Sequence, residues 1–242
     1  MKQGKIEEVT LYSEALGEEM QILIHLPYNY TPLYKYAVLI GSDGKDYIQY
    51  GRVGRVIDEL LDQNEIENVI FVGIPYKSVK ERRRLYHPEG DRRDAYTRFL
   101  AHELVPYIDR HYPTYQIGAG RALIGDSLAA TISLLTASKY PNIFGKVVLH
   151  SPYVDEIVLD KVNNVKDVSA FSIYHVIGTE ETEVETQVDG IKDFLQPNRT
   201  LKDTIEKKGF DYFYDEFEGN HTWKYWQADM PRAMKKTFGD MF

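Results

Sequence analysis

Six short runs rich in apolar or β-forming residues punctuate the chain: YAVLIGSDG (36–44), NVIFVGIPY (68–76), RALIGDS (121–127), GKVVLHSPY (145–153), FSIYHVIGT (171–179) and FDYFYDEFEG (210–219). Each has the length of a buried strand. The intervals carry helical patterns over 48–63, 92–111, 128–139, parts of 183–208, and 222–238. Strands that alternate with helices imply a mostly parallel sheet covered on both faces. Ahead of them, EEVTLYS and MQILIHLP flank the turn-like EALGEE, which predicts an antiparallel hairpin opening the sheet. The fold class is therefore α/β. No repeat and no Gly/Ser-rich linker interrupts the 242 residues, which predicts one domain over 1–242. The polar stretch KSVKERRRLYHPEGDRR (77–93) reads as a long loop over the carboxyl edge of the sheet, where open α/β sheets bind ligands.

Charge and composition narrow the chemistry. A formal charge of −8 argues against a phosphate-backbone binder, so nucleic acid is not expected as a partner. The absence of cysteine removes disulfides, thiolate metal sites and cysteine nucleophiles, leaving serine as the main side chain for covalent catalysis. No H-E-x-x-H or similar ligand spacing occurs, so neither a metal nor another cofactor is expected. The start MKQGKIEEVTLYSEA has no apolar h-region and no run of about 18 apolar residues occurs, which predicts a cytoplasmic protein without a membrane span.

The letters G-D-S-L at 125–128 belong to two unrelated serine esterase architectures. In the flat-sheet lipases named after them the motif lies near the N-terminus, with a mid-chain Gly-x-Asn-Asp and a terminal Asp-x-x-His. Here the serine is past the midpoint, no Gly-x-Asn-Asp occurs, and the late histidine in EGNH has no aspartate three residues before it. The alternative is a nucleophile elbow, a strand and helix joined by a sharp turn that exposes the serine. RALIG supplies the strand, Gly125-Asp126-Ser127-Leu128-Ala129 the turn, and AATISLLTAS the helix. Small residues suit the close approach there, and Ala129 replaces the usual final glycine by one methyl. Taken alone, Ser127 could equally be a helix N-cap.

Residues downstream of the serine decide between these two roles. After SIYHVIG come Gly178 and the acids Glu180, Glu181 and Glu183, and after the last strand comes His221 in FEGNHTWKYW. Serine, acid, histidine is the chain order of α/β-hydrolases. With LIGSDGKDY, AYTRFLAHELVPYIDRHYP, KYPNIFGKVVLHSP and NHTWKYW, the chain resembles the esterases of the esterase D and enterochelin esterase type over roughly residues 20–230.

The resemblance implies an α/β-hydrolase fold and hydrolysis of small-molecule esters. Its substrates range over small acyl esters, feruloyl-type esters, formylglutathione thioesters and siderophore trilactones. Ser127 would be the nucleophile, His221 the general base and acid, and Glu181 the orienting acid by the family's spacing, with Glu180 and Glu183 as competitors. The oxyanion hole would take the backbone N–H of Leu128 and, by resemblance, that of Lys45 after Asp43-Gly44; the plainer reading of Asp43-Gly44 is an ordinary turn. Asp43, Gly44, Asp126, His150 and Trp223 are the candidate pocket residues.

Each further candidate has a plainer reading. Trp223 and Trp226 fit an acyl-pocket wall or the core. The arginines at 82, 83, 84, 92 and 93 fit a grip on an anionic substrate such as a catecholate siderophore, or a solvated run balanced by Glu81, Glu89 and Asp91. GAGRAL precedes its strand and lacks the third glycine of a dinucleotide fingerprint. His25, His102, His111 and His175 read as structural or surface groups. Rival functions are an acyltransferase with the same triad and a non-catalytic binding protein on the same fold. An edge strand of the hairpin leaves a homo-oligomer open without demanding one.

Overall fold

The computed structural model describes residues 2–239; of the expected domain 1–242, residue 1 and residues 240–242 lie outside the described residues. The elements run β1 Lys5–Ser13, β2 Glu18–Leu26, β3 Ala37–Ser42, α1 Gly44–Gln49, α2 Val53–Asp62, β4 Val69–Ile74, α3 Val79–Tyr86, α4 Arg93–Phe99, α5 Val105–His111, β5 Arg121–Asp126, α6 Leu128–Lys139, β6 Lys146–His150, α7 Glu156–Asn163, β7 Ser172–Gly178, β8 Val184–Thr186, β9 Gly190–Lys192, α8 Leu195–Lys208, β10 Tyr212–Phe217 and α9 Trp223–Phe238. Eight strands form one sheet in the order β1-β2-β4-β3-β5-β6-β7-β10. The expected hairpin is present: β1 and β2 are antiparallel, β2 joins β4 antiparallel, and the remaining pairs are parallel.

Burial explains the pattern of the runs. Every residue of β3, β4 and β5 is buried, because helices cover both faces of these central strands. On one face, α2 presents Val53, Val56, Ile57, Leu60 and Leu61, a spacing of i, i+3, i+4, i+7 and i+8 that forms a single apolar stripe, and packs with Met230, Met234 and Phe238 of α9. On the other, α4 to α8 pack over residues such as Ile40, Leu123, Val147 and Ile173.

Several segments differ from expectation. Residues 79–86 are a helix, not loop: Ser78 caps it by accepting from the Glu81 N–H at 3.1 Å, and Glu81 and Arg84 on it pair with Arg92 and Asp91. The single helix expected over 48–63 is broken, with Arg52 in the left-handed region ahead of α2. The helix expected over 92–111 passes through a π-helical turn at 100–104, next to Pro106, which has no N–H to continue the regular ladder. Part of 183–208 is the small hairpin β8–β9, and α7 occupies a segment in which no helix was expected.

Parallel register has the consequence that matters for function. Asp126 pairs with His150, and His150 with Val176, so the carboxyl ends of β5, β6 and β7 share one edge with the end of β10 beside them. The loops after these ends, together with that after β3, carry Ser127, Ser151, Glu181, His221 and Asp43.

Candidate active site

Ser127 sits between β5 and α6 at φ 52 and ψ −124, a positive φ that serine adopts only when its surroundings impose it. Four hydrogen bonds do so: its N–H donates to the His150 carbonyl at 2.9 Å, and its own carbonyl accepts from the Thr131 N–H and hydroxyl, each at 3.1 Å, and from the Tyr153 N–H at 3.3 Å. Gly125 is required beside it, since a Cβ there would collide with the backbone of Ala129. The half-buried hydroxyl is thereby offered to a cavity of about 250 Å³ that is also lined by Leu128, His221, Trp226, Asp43 and Asp126.

Glu181 is fully buried, while Glu180 and Glu183 are exposed. Its Oε2 lies 2.6 Å from His221 Nδ1, and its Oε1 accepts from the Ser151 hydroxyl at 2.6 Å and the Gly178 N–H at 2.8 Å. An ionised carboxylate only accepts, so this contact turns the ring with Nδ1 toward Glu181 and Nε2 away from it. The imidazole is further fixed by Phe194 at 4.5 Å and by the perpendicular Trp226 ring at 4.9 Å. Trp226 in turn donates its indole N–H to Ser151 Oγ at 3.0 Å.

The loop after β3 forms the opposite wall. Asp43 is buried with φ 57 and ψ 35, and Gly44 starts α1 against β4, where a Cβ would overlap the backbone of Gly73. Among the described residues, the N–H groups of Lys45 and Leu128 make no backbone hydrogen bond, as expected for the first turns of α1 and α6. Burial, then the neighbouring Asp43 charge, pushes the Asp126 carboxyl well above the usual range, and its Oδ1 has no hydrogen-bond partner among the described residues.

Other candidates lie elsewhere. Gly44, Lys45, His150 and Trp223 are not among the cavity's lining residues, though the first two join Asp43 to Asp46, which is. His150 is fully buried, bonded to Tyr47 at 3.1 Å and Asp229 at 3.2 Å, because its side chain leaves the sheet on the α9 side. Trp223 stacks edge-on against Tyr47 at 4.9 Å. The arginines are paired: Arg82 with Asp43 at 2.6 Å, Arg83 with Asp189 at 2.7 Å, Arg84 with Asp91 at 2.6 Å, Arg92 with Glu18 at 2.6 Å, and Arg93 with Asp94 at 3.3 Å. Ser151 was not singled out from sequence; its one signal was its place directly after a strand end, in VVLHSP. Among the described residues no cluster of three or more metal-ligating side chains occurs, and no helix is long and apolar enough to cross a membrane.

Comparison with known proteins supplies the context. The family model described as Putative esterase matches residues 13–237. The uncharacterized protein YjcH of Bacillus subtilis (strain 168) is 54% identical over 235 residues, covering 97% of this chain and 98% of its own. An acetyl esterase of Caldicellulosiruptor saccharolyticus is 21% identical over 258 residues, 95% of this chain and 97% of that one. A solved ferulic acid esterase superposes with a TM-score of 0.80 at 17% identity, covering 98% of both chains, a likeness of fold.

Proposed function

This chain belongs to the Putative esterase family and is a carboxylic ester hydrolase, and on that footing we propose that Ser127, His221 and Glu181 cleave the ester through an acyl-enzyme. The observation that carries the reading is the buried Glu181 carboxylate 2.6 Å from His221 Nδ1, on a histidine that lines the same cavity as the elbow serine. In this scheme His221 Nε2 takes the proton as Ser127 Oγ attacks the carbonyl carbon. The oxyanion that forms is held by the N–H groups of Leu128 and Lys45. Collapse releases the alcohol with the proton from His221, and water then repeats the sequence on the acyl-enzyme to release the acid. The scheme requires no metal or cofactor.

Two features bear on the substrate. At about 250 Å³ the cavity is smaller than the ~300–1,000 Å³ typical of drug-sized ligands, which favours short acyl groups. Its lining carries Arg82 and Arg83, already ion-paired with Asp43 and Asp189, and the further acids Asp46 and Glu185, which favours uncharged esters over a catecholate siderophore. Hydrolysis of p-nitrophenyl esters from acetate to octanoate by wild type and Ser127→Ala tests the reading. Turnover confined to wild type and greatest on the shortest chains is expected; turnover that survives in the variant removes Ser127 as nucleophile.

A further inference from the structure

Arg82 takes no part in that scheme, yet its position is closely determined. From α3, in the stretch that reads as a loop in sequence, its side chain enters the cavity wall and is 16% exposed. Its Nε donates to both Asp43 oxygens, at 3.0 and 2.8 Å, its Nη2 lies 2.6 Å from Asp43 Oδ2, and the same Nη2 is 3.4 Å from the Asp126 carbonyl. Asp43 immediately precedes Gly44-Lys45, and Asp126 immediately precedes Ser127-Leu128. One guanidinium therefore spans the two segments that carry the oxyanion-binding amides.

We propose that Arg82 is a positioning residue for ester cleavage, a clamp that sets the two amide-bearing segments against each other and keeps the Asp43 carboxylate off the Lys45 N–H. The proposal rests on the oxyanion hole of the preceding scheme. Asp43 stands at the N-cap position of α1, where an aspartate usually accepts from the second or third amide of its helix, here Lys45 or Asp46. It makes no such bond. Its carboxylate is committed to the permanently charged guanidinium instead, which leaves the Lys45 amide open to a developing oxyanion. The pairing also cancels a buried negative charge beside the position where the transition state gathers its own. Finally, the two-point grip holds Asp43 in the left-handed conformation that aims the start of α1.

Arg82→Gln, Arg82→Lys and the double variant Arg82→Gln/Asp43→Ala test this, alongside Ser127→Ala. Thermal melting establishes which are folded; kcat and KM for p-nitrophenyl acetate and affinity for a trifluoromethyl ketone, whose adduct oxyanion mimics the transition state, are then measured. Loss of an oxyanion donor costs about 10²–10³-fold in kcat, so Arg82→Gln is expected to lose on the order of 10²-fold in kcat and in ketone affinity with KM within threefold. Arg82→Lys, which retains the charge but cannot span both segments, falls between the two. The double variant regains part of the kcat, because the competing carboxylate is gone. A folded Arg82→Gln with kcat within threefold of wild type overturns the clamp, and so does a double variant less active than the single one. If Arg82→Gln does not fold, wild-type kcat in Arg82→Lys overturns it equally. Each of these results with Ser127→Ala inactive refutes the clamp alone, whereas an active Ser127→Ala refutes the scheme beneath it.

Discussion

Replacing Glu181 with glutamine changes almost no volume and reverses one hydrogen bond. The direction of the reversal can be worked out from the carboxylate's neighbours. Oε1 accepts from both Ser151 Oγ and Gly178 N–H, at 2.6 and 2.8 Å. A glutamine amide nitrogen cannot accept from the Gly178 N–H, so the amide oxygen takes that position and the NH₂ faces His221. His221 Nδ1 must then be the acceptor, its proton moves to Nε2, and the atom that should receive the Ser127 proton already carries one. An acid-to-amide change of this kind in a catalytic triad lowers kcat by ~10⁴ through the wrong tautomer, equivalent to ~5 kcal/mol of barrier. We expect a loss of ~10³–10⁴-fold in kcat on p-nitrophenyl acetate, with KM nearly unchanged, because the amide touches the histidine rather than the ester. Glu180→Gln and Glu183→Gln, altering exposed side chains, should remain near wild type. A kcat for Glu181→Gln within tenfold of wild type, or a larger loss in either neighbour, would remove Glu181 as the triad acid.

Ser151→Ala removes a hydrogen bond to the Glu181 carboxylate and leaves the buried Trp226 indole N–H without its acceptor. A hydrogen bond to a charged group contributes ~1.5–3 kcal/mol, so denaturant melts should show a loss of that order, and kcat should fall by roughly tenfold as Glu181 and His221 lose definition. Fully buried His175, bonded to Asn198 at 2.7 Å and Tyr212 at 2.8 Å, has its pKa lowered from 6.5 to about 4, chiefly by desolvation. Because the unfolded chain binds the proton more readily, its contribution to stability is complete above pH 6.5 and is lost as pH falls toward 4. The loss is at most ~3 kcal/mol. Chemical denaturation of wild type and His175→Gln at pH 7.5 and pH 4.5 should show the smaller acid-induced loss in the variant; equal losses would contradict this account.

The local signals were legible in the chain. Short apolar runs located six of the parallel-sheet strands because a strand covered on both faces must be apolar throughout, as β3, β4 and β5 are. The elbow around Ser127 was readable because a strand, a turn of small residues and a helix lie within a few positions of one another. Pairings between distant positions decided the rest. In the run Glu180, Glu181, Glu183 only the family's spacing favours Glu181, and the residue chemistry itself leaves the three equivalent; Ser151, 30 positions earlier, the folded-back Gly178 N–H and His221, 40 positions later, are what surround the Glu181 carboxylate. Trp223 and Trp226 sit three apart on one helix, but α9 packs so that Trp226 meets His221 and Trp223 meets Tyr47. Arg82 looked like one member of a charged surface run until α3 folded it onto Asp43, 39 positions away. Periodicity and turn chemistry act over a few residues and leave their mark in the sequence, whereas burial and ion pairing depend on which segments the sheet order brings together.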